Sequence, residues 1–118
     1  MTKQSPPKRG EIWHLDFGPK KTEEYAGKHY AVCLAEKSSK RRVVMFCPLT
    51  SKTYNDGSFK ILLAGNYINE KDSYALIYQI KSLDWVARKG NFEGTKVKYH
   101  DLHYILETLA DYVGFKLN

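Results

Sequence analysis

A chain of 118 residues with 42% apolar and 27% charged side chains suits one buried core rather than two, and its apolar share excludes a disordered chain. The net charge of +6 favours an anionic partner, nucleic acid or an acidic protein segment, with a solubilising surface as the plain alternative. No apolar run approaches membrane-spanning length, and the start MTKQSPPKRG has no apolar signal segment, so a soluble cytoplasmic protein without membrane contact is expected.

Residues 1–8 are polar with two prolines and read as a flexible arm, leaving a single domain over 9–118. In GEIWHLDF, Ile12, His14 and Asp16 alternate with Trp13, Leu15 and Phe17, which predicts a half-buried strand. GPKKTEEYAGK reads as a loop, opened by Gly-Pro and closed by Ala-Gly. HYAVCLAE and RVVMFCPLT read as short strands joined by the polar stretch KSSKR. Pro48 is expected to end regular pairing before Thr50, because it cannot donate to a ladder. Asn-Asp-Gly at 55–57 signals a turn. FKILLAG reads as a further strand and SYALIYQIKSLDW as one long strand. VARKGNFEG follows, then a short TKVKY strand. In HDLHYILETLADYVGF, Leu102, Ile105, Leu106, Leu109 and Val113 share one helical face. Asp101 or His100 would start that helix, and Gly114 suits its C′ position. Five or more antiparallel strands and one terminal helix predict a mainly β fold, a small bent barrel or sandwich.

Several side chains carry chemistry or its plain alternative. GNFEG and NDGS lack the Lys-Ser/Thr of a phosphate-binding loop. His100 and His103 could share a metal, but no third ligand is visible, and polar residues at a helix start are commonly solvated. His14 is either a surface-strand histidine or a base-stacking contact. KSSKRR at 37–42 is either a solvated hairpin tip or a phosphate-attracting rim. The nine tyrosines, many beside lysines, suit a single-strand groove and equally a β-rich core. Cys33 and Cys47 form no CxxC and read as buried free thiols, with a cross-strand disulfide left open.

The order of pieces KRGEIWHLDFGP, EEYAGKHYAVCL, VVMFCPLTSK and SYALIYQIKSLDWVAR, then a C-terminal helix, resembles the MazF/PemK (Kid) family of toxin endoribonucleases over about residues 8–115. The resemblance implies an SH3-like barrel with a C-terminal α-helix. It implies a homodimer with a groove for single-stranded RNA, and cleavage of messenger RNA without a metal or other cofactor. It also implies an antitoxin whose acidic tail fills the groove. Thr50 matches the family's catalytic Thr or Ser, and Glu24 matches its loop Glu. The family's Arg-Pro pair is replaced here by His29 and Tyr30. Lys28, Tyr30, Ser51 and Lys52 then fall at substrate-binding positions. So do Tyr78, Gln79 and Lys81, in the Gln-x-Lys-Ser-Leu stretch.

Cleaving RNA through its own 2′-hydroxyl needs a base, an acid for the leaving oxygen, and positive charge at the phosphate. Arg stays protonated, whereas His titrates near neutrality. The expected roles are therefore proton transfer by His29, charge from Lys28 or Lys81, and a phosphate contact by Thr50. Glu24 would orient His29. Two alternatives stand beside this. A groove without the Arg would only bind RNA or antitoxin. A CcdB-like toxin acting on gyrase shares the barrel.

Overall fold

The computed structural model describes residues 4–19, 26–36, 40–52 and 59–114. Among these the chain runs β1 (Glu11–Asp16), β2 (Lys28–Cys33), β3 (Val43–Thr50), β4 (Lys60–Leu62), β5 (Tyr74–Leu76), a 3-10 turn at Ile77–Gln79, β6 (Lys81–Asp84), β7 (Asn91–Lys96) and α1 (Tyr99–Tyr112). Every pairing between strands is antiparallel. The strand order is β4-β5-β3-β2-β1-β7, with β6 also on β3. This is the mainly β architecture with one C-terminal helix that the sequence predicts.

The sheet carries a core on each face. One holds Ile12, Val32, Cys47, Leu49, Ile77 and Ile105. The other holds Trp13, Leu15, Phe17, Ala31, Cys33, Phe46 and Leu83. Strand alternation makes this division, since neighbours such as Val32 and Cys33 point to opposite faces. β1 is therefore not half-buried as expected: Ile12 and Trp13 are both sealed from solvent. The reason is tertiary, because Ile105 of α1 reaches the cluster that contains Ile12. Each large side chain buried this way contributes about 1.5–3 kcal/mol. The Trp13 indole keeps a polar partner, donating to Glu11 Oε1 at 3.2 Å.

Several expectations need correcting. Pro48 does not end β3. It sits where one edge of the strand changes partner, from β6 at Val43–Phe46 to β5 at Leu49 and Thr50. A residue with no N–H belongs at that gap. SYALIYQIKSLDW is not one strand, since the 3-10 turn divides β5 from β6. β7 begins at Asn91 and stops at Lys96, before the expected TKVKY strand would end. α1 starts one residue before His100, and Val113 is 66% exposed, off the core face. Gly114 takes φ +79 after the C-cap Val113, as a C′ glycine should. Within the N-terminal arm, residues 4–8 make contacts with the domain. Gln4 Nε2 donates to Gly90 O at 2.8 Å, its Oε1 accepts from Phe92 N at 3.0 Å, and Pro7 is buried. The amide of Gln4 thereby imitates a strand partner along the β7 edge.

Cys33 and Cys47 are free and buried. The register sets Cys33 opposite Phe46 and Cys47 opposite Val32, so the thiols point to opposite faces and no bridge joins them. Burial pushes the Cys33 thiol up to about 11 and raises Cys47 as well. Neither is a nucleophile near neutral pH. Leu83 is buried in the second core cluster, and the partly buried Trp85 packs against it.

Candidate active site

The loop between β1 and β2 is pinched at its base. Phe17 N donates to Gly27 O at 2.8 Å, and Gly27 N donates to Gly18 O at 2.9 Å. Gly18 and Gly27 both take left-handed φ, +99 and +82. A Cβ on Gly18 would stand 2.8 Å from an Arg88 guanidinium nitrogen, the movable end of a long side chain, so it is the left-handed φ that favours glycine there. Glu24 lies outside the described residues.

Leaving Gly27, the chain enters β2 at Lys28. The ladder pairs Leu15 with His29 and His14 with Tyr30, so the two histidines belong to opposite faces of it. The His14 and Tyr30 rings lie 4.9 Å apart. The His29 ring meets Phe17 edge-on at 6.3 Å. His29 Nε2 donates to the Ala26 carbonyl, just before the Gly27 turn. A carbonyl only accepts, so this bond places a proton on Nε2 and leaves Nδ1 as the basic nitrogen. Partial burial is the largest influence on the ring and lowers its pKa, outweighing the Ala26 bond that raises it. Positive charge from His14 and Lys52 lowers it further, Asp16 opposes, and the result lies below the ordinary 6.5.

Thr50 closes β3 and is 6% exposed. Its Oγ1 accepts from Lys52 N at 3.1 Å, a local turn bond typical of Thr. Its own O–H stays available to donate elsewhere.

These pieces meet at one cavity of about 250 Å³. Lys28, His29, Tyr30, Thr50, Ser51 and Lys52 line it, with His14, Leu49 and Ile68 completing the wall. Tyr78, Gln79 and Lys81 are not in that wall. Lys81 pairs with Phe46 in the middle of β3, roughly 13 Å of strand from Thr50 at ~3.3 Å per residue. The 3-10 turn holds Tyr78 and Gln79. A second concavity along α1 is lined by Tyr99, His100, His103, Tyr104 and Glu107. There His103 Nε2 pairs with Glu107 Oε1 at 2.8 Å. Among the described residues no three His, Cys, Asp or Glu side chains converge as a metal set.

The first cavity thus offers two ammonium groups, two aliphatic hydroxyls, a phenol and two imidazoles, which suits an anion that must lose a proton. A family model described as PemK-like, MazF-like toxin of type II toxin–antitoxin systems matches residues 8–113. The chain belongs to this family. It is 32% identical over 96 residues to the endoribonuclease toxin MazF of Escherichia coli strain K12, covering 80% of this chain and 84% of that one. The endoribonuclease MazF of Escherichia coli O157:H7 matches to the same extent. A crystal structure of MazF from Deinococcus radiodurans superimposes with a TM-score of 0.80 at 21% identity, covering 95% of this chain and all of that one. A MazE–MazF structure from the same organism gives 0.73 at 21% identity, covering 96% and 100%. Those structures confirm a MazF-like fold. Among the described residues no helix is long and apolar enough to cross a membrane.

Within this MazF-like frame, His14, Leu49 and Ile68 are wall residues that the family positions do not supply, and of these His14 alone has a polar side chain. Its signal is in the sequence all the same. It lies on the Ile12 face of β1 by alternation, and that face opens into the cavity where the apolar core stops.

Proposed function

We propose that this MazF-like toxin cleaves single-stranded RNA by metal-independent acid–base chemistry at the cavity between the β1–β2 ladder and the end of β3. The toxin family and the curated endoribonuclease relatives make the chain an endoribonuclease of a toxin–antitoxin system. The observation that carries the mechanism is the meeting of His29, Thr50, Lys28 and Lys52 in one wall. The ring of His29 is held neutral, with Nδ1 as the basic nitrogen, and takes the proton of the attacking 2′-hydroxyl. Lys28 and Lys52 stabilise the charge that builds on phosphate, the task of the Arg in the family pattern. Thr50 donates its hydroxyl to a phosphate oxygen. Tyr30, beside Lys28, offers a ring for a base to stack on.

The partner that restrains the toxin is an antitoxin, as in the MazE–MazF structures. An acidic one fits the net charge of +6 and the lysines of the wall. The family resemblance further implies a homodimer. Exposed Val43, Met45 and Val86 supply apolar surface for it, and sedimentation at micromolar concentration reads it directly. The cytoplasm, where messenger RNA is translated, is the site of action.

The test is incubation of a long mixed-sequence RNA with the purified protein in EDTA, beside His29→Ala and Thr50→Ala. Discrete fragments from the wild type alone are expected. Full cleavage by His29→Ala would move the base elsewhere. Intact RNA with folded wild type would leave a binding protein on a toxin's frame.

A further inference from the structure

Resting on the ribonuclease reading, we infer that His14 is the second proton-transfer group of this site, the general acid that protonates the leaving 5′ oxygen. Three observations carry it. First, His14 lines the same cavity as His29 and Thr50, half-buried while its strand neighbours Trp13 and Leu15 are sealed in the core. Second, the His29 proton is committed to the Ala26 carbonyl. That ring can accept a proton at Nδ1 but has none to spare for a leaving group. Among the other wall residues only an imidazole both gives and takes protons readily near neutrality, whereas an ammonium, a phenol or an aliphatic hydroxyl holds its proton more firmly. Third, the ladder sets His14 against Tyr30 and His29 against Leu15. The two imidazoles therefore join one cavity wall from different faces of the β1–β2 ladder, as separate groups rather than a stacked pair. An in-line displacement needs two separate groups, because the attacking and leaving oxygens lie on opposite sides of phosphorus.

The step balances. The 2′ oxygen bonds to phosphorus as His29 takes its proton. The bond from phosphorus to the 5′ oxygen breaks, and His14 donates a proton to the departing electron pair. The products are a 2′,3′-cyclic phosphate and a 5′-hydroxyl. His29 then carries one proton more and His14 one fewer, and exchange with water restores both. Tyr30, at 4.9 Å from the His14 ring, restricts that ring's orientation.

The experiment compares two leaving groups. The cleavage site is first mapped on a long mixed-sequence RNA. Wild-type protein that is folded and leaves this RNA intact overturns the ribonuclease reading, and the role of His14 with it. Short RNAs spanning the mapped site are then made with oxygen or with sulfur at the scissile 5′ position. A thiolate departs without a proton, so only the oxygen substrate needs an acid. His14→Gln is expected to slow cleavage of the oxygen RNA about 10²- to 10⁴-fold and of the sulfur RNA by less than about tenfold. His29→Gln should slow both, since each needs the base. Equal losses on the two RNAs with His14→Gln would overturn the acid role while leaving the ribonuclease intact. So would undiminished cleavage of the oxygen RNA. His14→Asn provides the same reading if the longer amide disturbs the Tyr30 contact.

Discussion

Asp101 and His29 are both titratable side chains drawn in from solvent, and they are built on opposite plans. Asp101, in the first turn of α1, is fully buried. Its carboxylate accepts from Ala64 N at 2.7 Å, Gly65 N at 3.0 Å and the Tyr67 hydroxyl at 2.5 Å. The Tyr67 oxygen accepts in turn from Lys98 N at 2.9 Å. Burial works to raise the Asp101 pKa, but the phenol, the two amides and nearby His100 outweigh it and hold the carboxyl below its ordinary value. Burial, then the bond to Asp101, pushes the Tyr67 phenol up to about 12. Three of a carboxylate's roughly four acceptor sites are thus filled from within the fold. His29 instead stands at the wall of a cavity with Lys28 and Lys52, only partly buried. A polar group saturated by its own chain fastens structure. One placed at an open, cationic wall is available to a substrate.

The largest expected effect would break that comparison if it failed. Asp101→Ala removes the acceptor for two amides and a phenol, and should cost about 3–5 kcal/mol of stability in urea unfolding. Cleavage per folded molecule should stay at the wild-type level below the melting range. A variant of wild-type stability, or one that folds normally and cleaves no RNA, would put Asp101 in the wrong class. Thr50→Ala is the converse. Loss of one phosphate donor should slow cleavage about 10²- to 10³-fold, with a melting temperature close to wild type, because the Oγ1 bond to Lys52 N is local. Single-turnover rates and thermal melts on the same preparation separate the two.

The contrast also explains what the sequence reveals. The cavity wall is legible because its parts are local: a Gly-ended loop, a histidine at a strand entry, a threonine at a strand end. Asp101 reads only as a helix start. Its partners lie 34 to 37 residues earlier, beyond any periodicity. The place of Tyr78, Gln79 and Lys81 outside that wall has a similar reason. No Gly or Pro marks the 3-10 turn within SYALIYQIKSLDW. The turn exists because the chain must leave β3 as β5 and rejoin the same edge as β6, a tertiary demand. Both faces of β1 are buried because α1 covers one of them, which alternation along β1 alone cannot show.

Gly27 tests how far the site depends on its hinge. A Cβ there would meet only His29 Nε2, at 3.9 Å, an ordinary contact. The penalty of Gly27→Ala is therefore the left-handed backbone, about 1–2 kcal/mol. Relaxation of φ would also disturb the Ala26 carbonyl that His29 donates to. A stability loss in urea of that size with slowed cleavage is expected. Loss of stability with an unchanged rate would show that His29 holds its position without the hinge.

The smallest effect is the acid dependence of His29, and it sharpens the comparison most. Its pKa in the fold lies below the ordinary 6.5, chiefly through burial. Between that lowered value and 6.5 the unfolded chain binds more protons than the folded one. Stability therefore rises with pH through this window and is lost as pH falls through the folded value. Solvent reaches much of the ring, so the change is a fraction of a kcal/mol. Urea midpoints of wild type and His29→Gln at pH 7.5 and 5 isolate it, since the other titrations are common to both. The wild type should lose more on acidification. Asp101 contributes nothing to that difference, because its carboxyl sits below the ordinary 3.8 and its stabilisation is lost only at still lower pH. Equal slopes for the two proteins would mean that the fold leaves His29 as well hydrated as the unfolded chain does. The neutral base at the cavity wall would then lack the electrostatic cause assigned to it.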